Sequence, residues 1–140
     1  MEAASLTFDE IPIGYECSFE RFLTDEDIRK FSELTGDFNP LHLDLSFAKT
    51  TLFGGRIAQG MLAASFFSTS VGMYCPGKYA IILGQEIDYM KPIRPDSYLK
   101  VIGKVVRKIE SVRVLIIEHM LVDKNCQMLV RGTSKVKVMR

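Results

Sequence analysis

The sequence predicts an α+β protein in which one antiparallel sheet packs against one long apolar helix. Three observations predict it: an amphipathic stretch near the start, an uncharged middle segment, and β-rich segments in the second half. The 140 residues, 47% of them apolar, are enough for a single domain spanning residues 1–140. A net charge of +1 gives no electrostatic basis for binding nucleic acid or an anionic membrane.

A short amphipathic helix is predicted from about Asp25 to Thr35. Thr24 and Asp27 have the spacing of a capping box, and apolar residues recur at helical spacing from Ile28 to Leu34. Gly36 is expected to end the helix because glycine readily adopts the left-handed conformation found at helix ends.

The segment after this helix carries the best functional clue. Pro40 forces Asn39 toward an extended conformation, so the segment cannot continue as helix, and it holds Asp37 and His42 five positions apart. A carboxylate and a neutral imidazole on a rigid loop can bind one water between them and move protons at neutral pH. Asn and Asp are also ordinary turn formers, so the residues alone leave a purely structural role open.

The segment from residue 57 to residue 77 contains no charged residue. Its first half is apolar or small on every face, which predicts a central helix surrounded by protein. A membrane span is disfavoured because polar residues, Gly72 and Pro76 interrupt the segment.

The second half of the chain is predicted to form strands, which together with an early strand near Tyr15 to Phe22 make a sheet of five or six strands. The Val112 to Ile117 stretch is apolar on both faces, so a second subunit is expected to complete the core. The predicted later strands are Tyr79 to Tyr89, Tyr98 to Val106, Val112 to Val122, Cys126 to Arg131 and Ser134 to Met139.

The predictions of location and cofactors depend on motifs that the sequence lacks. The N-terminus has no basic segment before an apolar run, so no secretory signal and a cytoplasmic location are expected. Two histidines and three widely spaced cysteines suit neither a metal site nor a disulfide framework, and no Gly-rich phosphate loop occurs. No metal and no cofactor is expected.

The motifs resemble the signature of MaoC-like, (R)-specific enoyl-CoA hydratases, and the resemblance covers nearly the whole chain. It rests on the run from Phe31 to Asp44, on Phe47-Ala48 and Phe53-Gly54, and on Gly60-Met61-Leu62. It implies the hotdog fold, a curved antiparallel sheet wrapped around a long central helix, with subunits paired as a homodimer or a higher homo-oligomer.

The resemblance implies reversible syn addition of water to a trans-2-enoyl-CoA, giving an (R)-3-hydroxyacyl-CoA, in fatty acid or polyhydroxyalkanoate-type metabolism. Asp37 and His42 match the catalytic dyad, and the acid/base role is assigned to the pair because coupled groups titrate together. The fold alone also hosts acyl-carrier-protein dehydratases, thioesterases and non-catalytic acyl-thioester binding modules, which stay as alternatives.

The resemblance also assigns supporting residues. Gly60 matches the oxyanion-hole glycine, whose amide would meet the thioester oxygen at a helix start, although a glycine there can also serve close packing. Asn39 would brace the loop or contact the substrate, and Ser68 would orient Asp37 or simply pack. Gln59 departs from the family, in which a histidine is frequent before this glycine.

Four further residues are predicted to contact the substrate. Leu62 and Phe66 are candidates for lining the acyl pocket, and Arg56 and Lys91 for meeting the phosphates of coenzyme A. A thioesterase would need a carboxylate on the central helix, and residues 57–77 offer none. The carrier of the acyl group, coenzyme A or acyl carrier protein, stays open.

Overall fold

The computed structural model describes residues 1–140 and contains five strands and four α-helices. The strands form one antiparallel sheet in the order β1-β3-β4-β5-β2, so β1 and β2 are its two edges. The elements in chain order are β1 Glu16–Leu23, α1 Asp25–Thr35, α2 Pro40–Leu43, α3 Leu45–Ala48, α4 Gly60–Thr69, β2 Ala80–Tyr89, β3 Ser97–Ile109, β4 Val114–Val122 and β5 Met128–Val138.

Helix α1 has the predicted bounds, and its predicted caps are confirmed. The hydroxyl of Thr24 accepts a hydrogen bond from the Asp27 amide at 3.1 Å, and the Asp27 carboxylate accepts one from the Thr24 amide at 2.9 Å. Gly36 follows with φ of 79°, the left-handed conformation that ends the helix. The chain therefore turns sharply just before Asp37.

The prediction of two separate strands at the C-terminus is wrong, because β5 runs through Gly132 without a break. Gly132 pairs with His119 of β4, and a Cβ added there would lie 2.9 Å from the ring of Phe67. This glycine is therefore a point of close helix-to-sheet packing rather than a turn. The strand also starts later than predicted, since Cys126 lies in a turn with φ of 59°.

Helix α4 crosses the inner face of the sheet. A Cβ on Gly103 of β3 would lie 2.6 Å from the Ser70 hydroxyl, so Gly103 and Gly132 together let the helix sit close to the strands. Phe67 stacks on the buried His119, with ring centroids 4.9 Å apart. Beyond Thr69 the helix continues as a π-helical turn, Ser70–Tyr74.

The expectation that α4 is covered on every face is wrong for a single chain. Met61 is 61% exposed, and Ser65 and Ser68 are also exposed, so one face of the helix is open. Exposed apolar side chains also occur on edge strand β2, at Ile81 and Leu83. No helix combines the length and the apolar character needed to cross a membrane.

Most of the two-sided apolar stretch that motivated a second subunit is covered within one chain, although Val112 precedes β4 and is 48% exposed. Val114 and Leu115 of β4 point to opposite faces, and both are buried. Exposed apolar side chains lie on several elements, among them β2 at Ile81 and Leu83 and α4 at Met61.

Candidate active site

Asp37 and His42 face each other across the loop that follows α1. His42 Nε2 lies 4.0 Å from Asp37 Oδ2, which is too long for a direct hydrogen bond and suits a bridging water. The imidazole is 11% exposed and the carboxylate 47% exposed, so the pair lies at the boundary between the protein and solvent. The predicted dyad is thus brought together by the fold.

The backbone fixes the tautomer of the His42 ring. Nδ1 lies 2.8 Å from the carbonyl oxygen of Ile57, which can only accept a hydrogen bond. Nδ1 must therefore carry the hydrogen, and in the neutral ring the lone pair lies on Nε2, the nitrogen that faces Asp37. Nε2 is ready to accept a proton from a bound water.

Asn39 braces the loop by two backbone hydrogen bonds. Its side-chain oxygen accepts from the Leu41 amide at 3.0 Å and caps α2, in which Pro40 is the first residue. Its own amide donates to Asp37 Oδ1 at 3.2 Å. These contacts hold the carboxylate and place His42 in the last turn of a short helix, and they match the bracing alternative for Asn39.

The first turn of α4 has no side-chain cap. Gln59 is the N-cap residue, but its amide nitrogen donates instead to the Ile28 carbonyl at 3.1 Å and to the Ser32 hydroxyl at 2.9 Å. This buried side chain ties α4 to α1. The amide of Gly60, the first residue of the helix, is left without a capping acceptor, and the helix dipole favours an anion beside it.

A cavity of about 480 Å³ joins these groups. It contains both members of the dyad and Gly60, and nine of its 15 lining residues are hydrophobic. The lining residues are Asp37, His42, Phe53, Ile57, Ala58, Gln59, Gly60, Met61, Ala63, Tyr89, Met90, Lys91, Pro92, Ile93 and Val130.

Of the four further residues predicted to contact the substrate, only one lines the cavity. Lys91 lines the cavity, but Arg56 does not: it pairs with Asp25 at 2.6 Å and donates to the His42 carbonyl at 3.4 Å, which braces the loop. Leu62 and Phe66 also lie outside the cavity lining and pack partly buried against the main core cluster. Their proposed substrate contacts have no support in this geometry.

Ser68 does not reach the dyad within one chain. It is exposed and makes no hydrogen bond to Asp37, so the structure gives no evidence that it orients the carboxylate. Asp37 is the only carboxylate in the cavity lining.

Several cavity residues were not predicted from the sequence, above all Tyr89. Tyr89 is the last residue of β2 and pairs with Val130, which also lines the cavity. Its ring lies against Gly60, since a Cβ on that glycine would be 2.7 Å from Cε1 of the tyrosine. An aromatic residue at the end of a predicted strand was the only available signal, and it does not specify a partner.

The sheet packed on α4 is the hotdog fold, so the chain is a hotdog protein in which a carboxylate and an imidazole share a cavity that reaches the start of α4. The family model described as MaoC like domain matches residues 10–122. The chain belongs to this MaoC-like family, so the resemblance and the fold class predicted from the sequence are confirmed.

Individual relatives and a solved structure of this family also resemble the chain. The chain is 32% identical over 112 residues to a 3-hydroxybutyryl-CoA dehydratase of Methylorubrum extorquens, a match covering 80% of this chain and 71% of the relative. It is 38% identical over 88 residues to an (R)-specific enoyl-CoA hydratase of Aeromonas caviae, covering 63% of this chain and 66% of the relative. The unliganded R-hydratase PhaJ1 of Pseudomonas aeruginosa superimposes with a TM-score of 0.90 at 26% identity, covering 97% of this chain and 87% of that chain.

Proposed function

We propose that this protein is an (R)-specific enoyl-CoA hydratase, adding water reversibly to trans-2-enoyl-CoA to give (R)-3-hydroxyacyl-CoA. The observation that carries the proposal is the 4.0 Å separation of His42 Nε2 and Asp37 Oδ2 inside a largely apolar cavity that also contains Gly60. The names of the Aeromonas and Methylorubrum relatives support the same hydro-lyase chemistry.

One water between the two side chains accounts for the addition. The anchored tautomer leaves Nε2 of His42 as an acceptor, so it takes a proton as the water oxygen attacks C3 of the enoyl group. The Asp37 carboxylate accepts the second O–H of the same water and fixes its orientation. A proton then returns from the dyad to C2 on the same face, so that one water has added across the double bond.

Negative charge develops on the thioester oxygen during the attack. The uncapped amide of Gly60 is the donor we assign to it, because the helix dipole and the apolar cavity strengthen a hydrogen bond to an anion. The lone cation of the lining, Lys91, is available for the phosphate groups of the carrier.

An absorbance assay tests the proposal. Loss of the conjugated enoyl-thioester absorbance of crotonyl-CoA on adding the wild-type protein, with (R)-3-hydroxybutyryl-CoA as the product on chiral analysis, is the expected result. An (S) product, or no conversion over a panel of enoyl-CoA chain lengths, would refute it. Release of free thiol in the same reaction would instead identify a thioesterase, which the lack of a carboxylate on α4 disfavours.

Three finer points belong to the proposal. Coenzyme A is taken as the carrier, and a parallel assay with crotonyl-acyl carrier protein compares the two. Pairing as a homodimer would cover the apolar side chains on β2 and the open face of α4. The cytoplasmic location stays a prediction.

A further inference from the structure

One cavity residue, Tyr89, has a polar group that the chemistry above does not use. Its ring edge lies against the start of α4: a Cβ on Gly60 would be 2.7 Å from Cε1 and 2.9 Å from Cζ of the tyrosine. Cζ carries the hydroxyl, so the phenol lies beside the residue whose amide is assigned to the thioester oxygen. Both residues line the same cavity as Asp37 and His42.

The present partner of the Tyr89 hydroxyl is a weak one. The hydroxyl donates to the thioether sulfur of Met61 at 3.3 Å, and sulfur of this kind is a poor acceptor. An anionic oxygen is a much stronger acceptor, so the hydroxyl gains by exchanging the sulfur for a thioester oxygen as charge develops there. Met61 is 61% exposed and is free to move away when the exchange occurs.

The backbone at Tyr89 is fixed by the fold, while the residue is 50% exposed. Tyr89 pairs with Val130 at the end of β2, and the amides of Met90 and Lys91 both donate to the Leu129 carbonyl just beyond it. Burial raises the pKa of Tyr89, so the phenol keeps its proton at neutral pH and remains a donor. Because the ring already packs against Gly60, the hydroxyl needs only to exchange the Met61 sulfur for the substrate oxygen.

We infer that Tyr89 is a second oxyanion donor, which places its hydroxyl on the thioester oxygen together with the Gly60 amide. This inference rests on the proposed hydratase function and adds a catalytic residue to it. Two donors on one oxygen would stabilise the enolate-like transition state more than a single amide does. The hydroxyl would donate weakly to the neutral carbonyl of the bound substrate and more strongly as charge develops, because an anionic oxygen is the better acceptor.

Tyr89→Phe tests the inference, since it removes one oxygen and keeps the ring against Gly60. The expected result is a fall in kcat for crotonyl-CoA of about 10²-fold, the lower end of the effect of losing one oxyanion donor, with KM nearly unchanged. Tyr79→Phe is the matched control: Tyr79 accepts a hydrogen bond from Arg140 and does not line the cavity, so this variant keeps the wild-type rate.

A spectroscopic measurement separates a donor from a packing residue. In an Asp37→Asn background, which stops turnover, the carbonyl stretch of bound crotonyl-CoA should move to higher frequency when Tyr89→Phe is added, because a donor to that oxygen has been removed. A wild-type kcat with an unchanged stretch would overturn the role of Tyr89 and leave the hydratase intact. A wild-type protein that hydrates no enoyl-CoA would overturn the hydratase and this inference with it.

Discussion

The imidazole of His42 is held by the backbone of Ile57, whose carbonyl oxygen lies 2.8 Å from Nδ1. This contact joins the dyad loop to the segment that leads into α4, so the ring is positioned against the helix start and not only by its own loop. The same contact directs Nε2 toward Asp37. The anchoring role of Nδ1 and the proton-accepting role of Nε2 can be tested separately by substitution.

We predict that His42→Asn keeps the anchor but loses the chemistry. The asparagine amide reaches about as far as Nδ1 and can donate to the Ile57 carbonyl, yet it supplies no group at the position of Nε2. Loss of a general base typically costs about 10²–10⁴-fold in rate, and the variant should unfold at nearly the wild-type temperature. His42→Ala should lose both rate and stability. Wild-type turnover in the asparagine variant would show that Nε2 is not the base.

Asp37→Asn should abolish most turnover without unfolding the protein. An asparagine oxygen can still accept from the Asn39 amide, but the amide group carries no negative charge and cannot receive a proton as a carboxylate does. Asp44→Asn is the matched control, since Asp44 is another exposed acid of this region that caps α3 through the Phe47 amide and lies outside the cavity. Steady-state rates and melting curves of both variants check the prediction. Equal rates for the two would remove Asp37 from the dyad.

Gly60→Ala should lower activity through a steric clash with Tyr89. The added methyl group would lie 2.7 Å from the tyrosine ring, so the ring or the start of the helix must shift, and the oxyanion donor shifts with it. Tyr89→Ala removes the obstacle, so Gly60→Ala should cost less in that background than in the wild type. Rates of the four proteins form a double-mutant cycle. Additive effects on the free energy of activation would show that the two residues act independently.

The sequence predicts local elements of this protein better than it predicts contacts between distant segments. Helix α1 and its caps follow from neighbouring residues, so Thr24, Asp27 and Gly36 behave as expected. Gly132 was misinterpreted as a strand break because its reason for being glycine, the ring of Phe67, lies 65 positions away in the chain. Only the folded chain brings the two together.

The same contrast between local and long-range information applies to the active site. The dyad was predictable because both residues lie in one short motif whose spacing resembles a known family. Tyr89 could not be predicted as a site residue, because its neighbour Gly60 belongs to another element. Arg56 was predicted to bind phosphate because it is basic, but it pairs with Asp25, a residue of a helix distant in sequence.

Stability should fall as the pH is lowered from about 6.5 toward 4 because of His119. Burial lowers the pKa of this histidine to about 4, whereas an exposed histidine in the unfolded chain titrates near 6.5. The unfolded state therefore binds more protons in this range. The contribution of His119 is complete above about pH 6.5, and it is lost as the pH falls below that value at up to about 1.4 kcal/mol per pH unit.

Urea unfolding of the wild type and of His119→Gln at several pH values checks this prediction. The glutamine variant cannot titrate, so its free energy of unfolding should depend less on pH over this range. Ser134→Ala is a useful comparison because it removes the hydroxyl 2.9 Å from His119 Nε2 and leaves the titrating ring in place. Identical pH slopes for the wild type and His119→Gln would contradict the prediction.

Leu83→Lys should convert a dimer to a monomer if β2 is the edge at which two copies pair. Leu83 is 56% exposed on this edge strand, close to the exposed Ile81, and a lysine there would place a charge in an apolar interface. Ile13→Lys is the control, because Ile13 is 64% exposed but precedes β1, the edge strand opposite β2. Light scattering after gel filtration should give a dimer mass for the wild type and for the Ile13 variant, and a monomer mass for the Leu83 variant. A dimer that tolerates Leu83→Lys would have to pair through another surface, and the apolar residues on β2 would then need a different explanation.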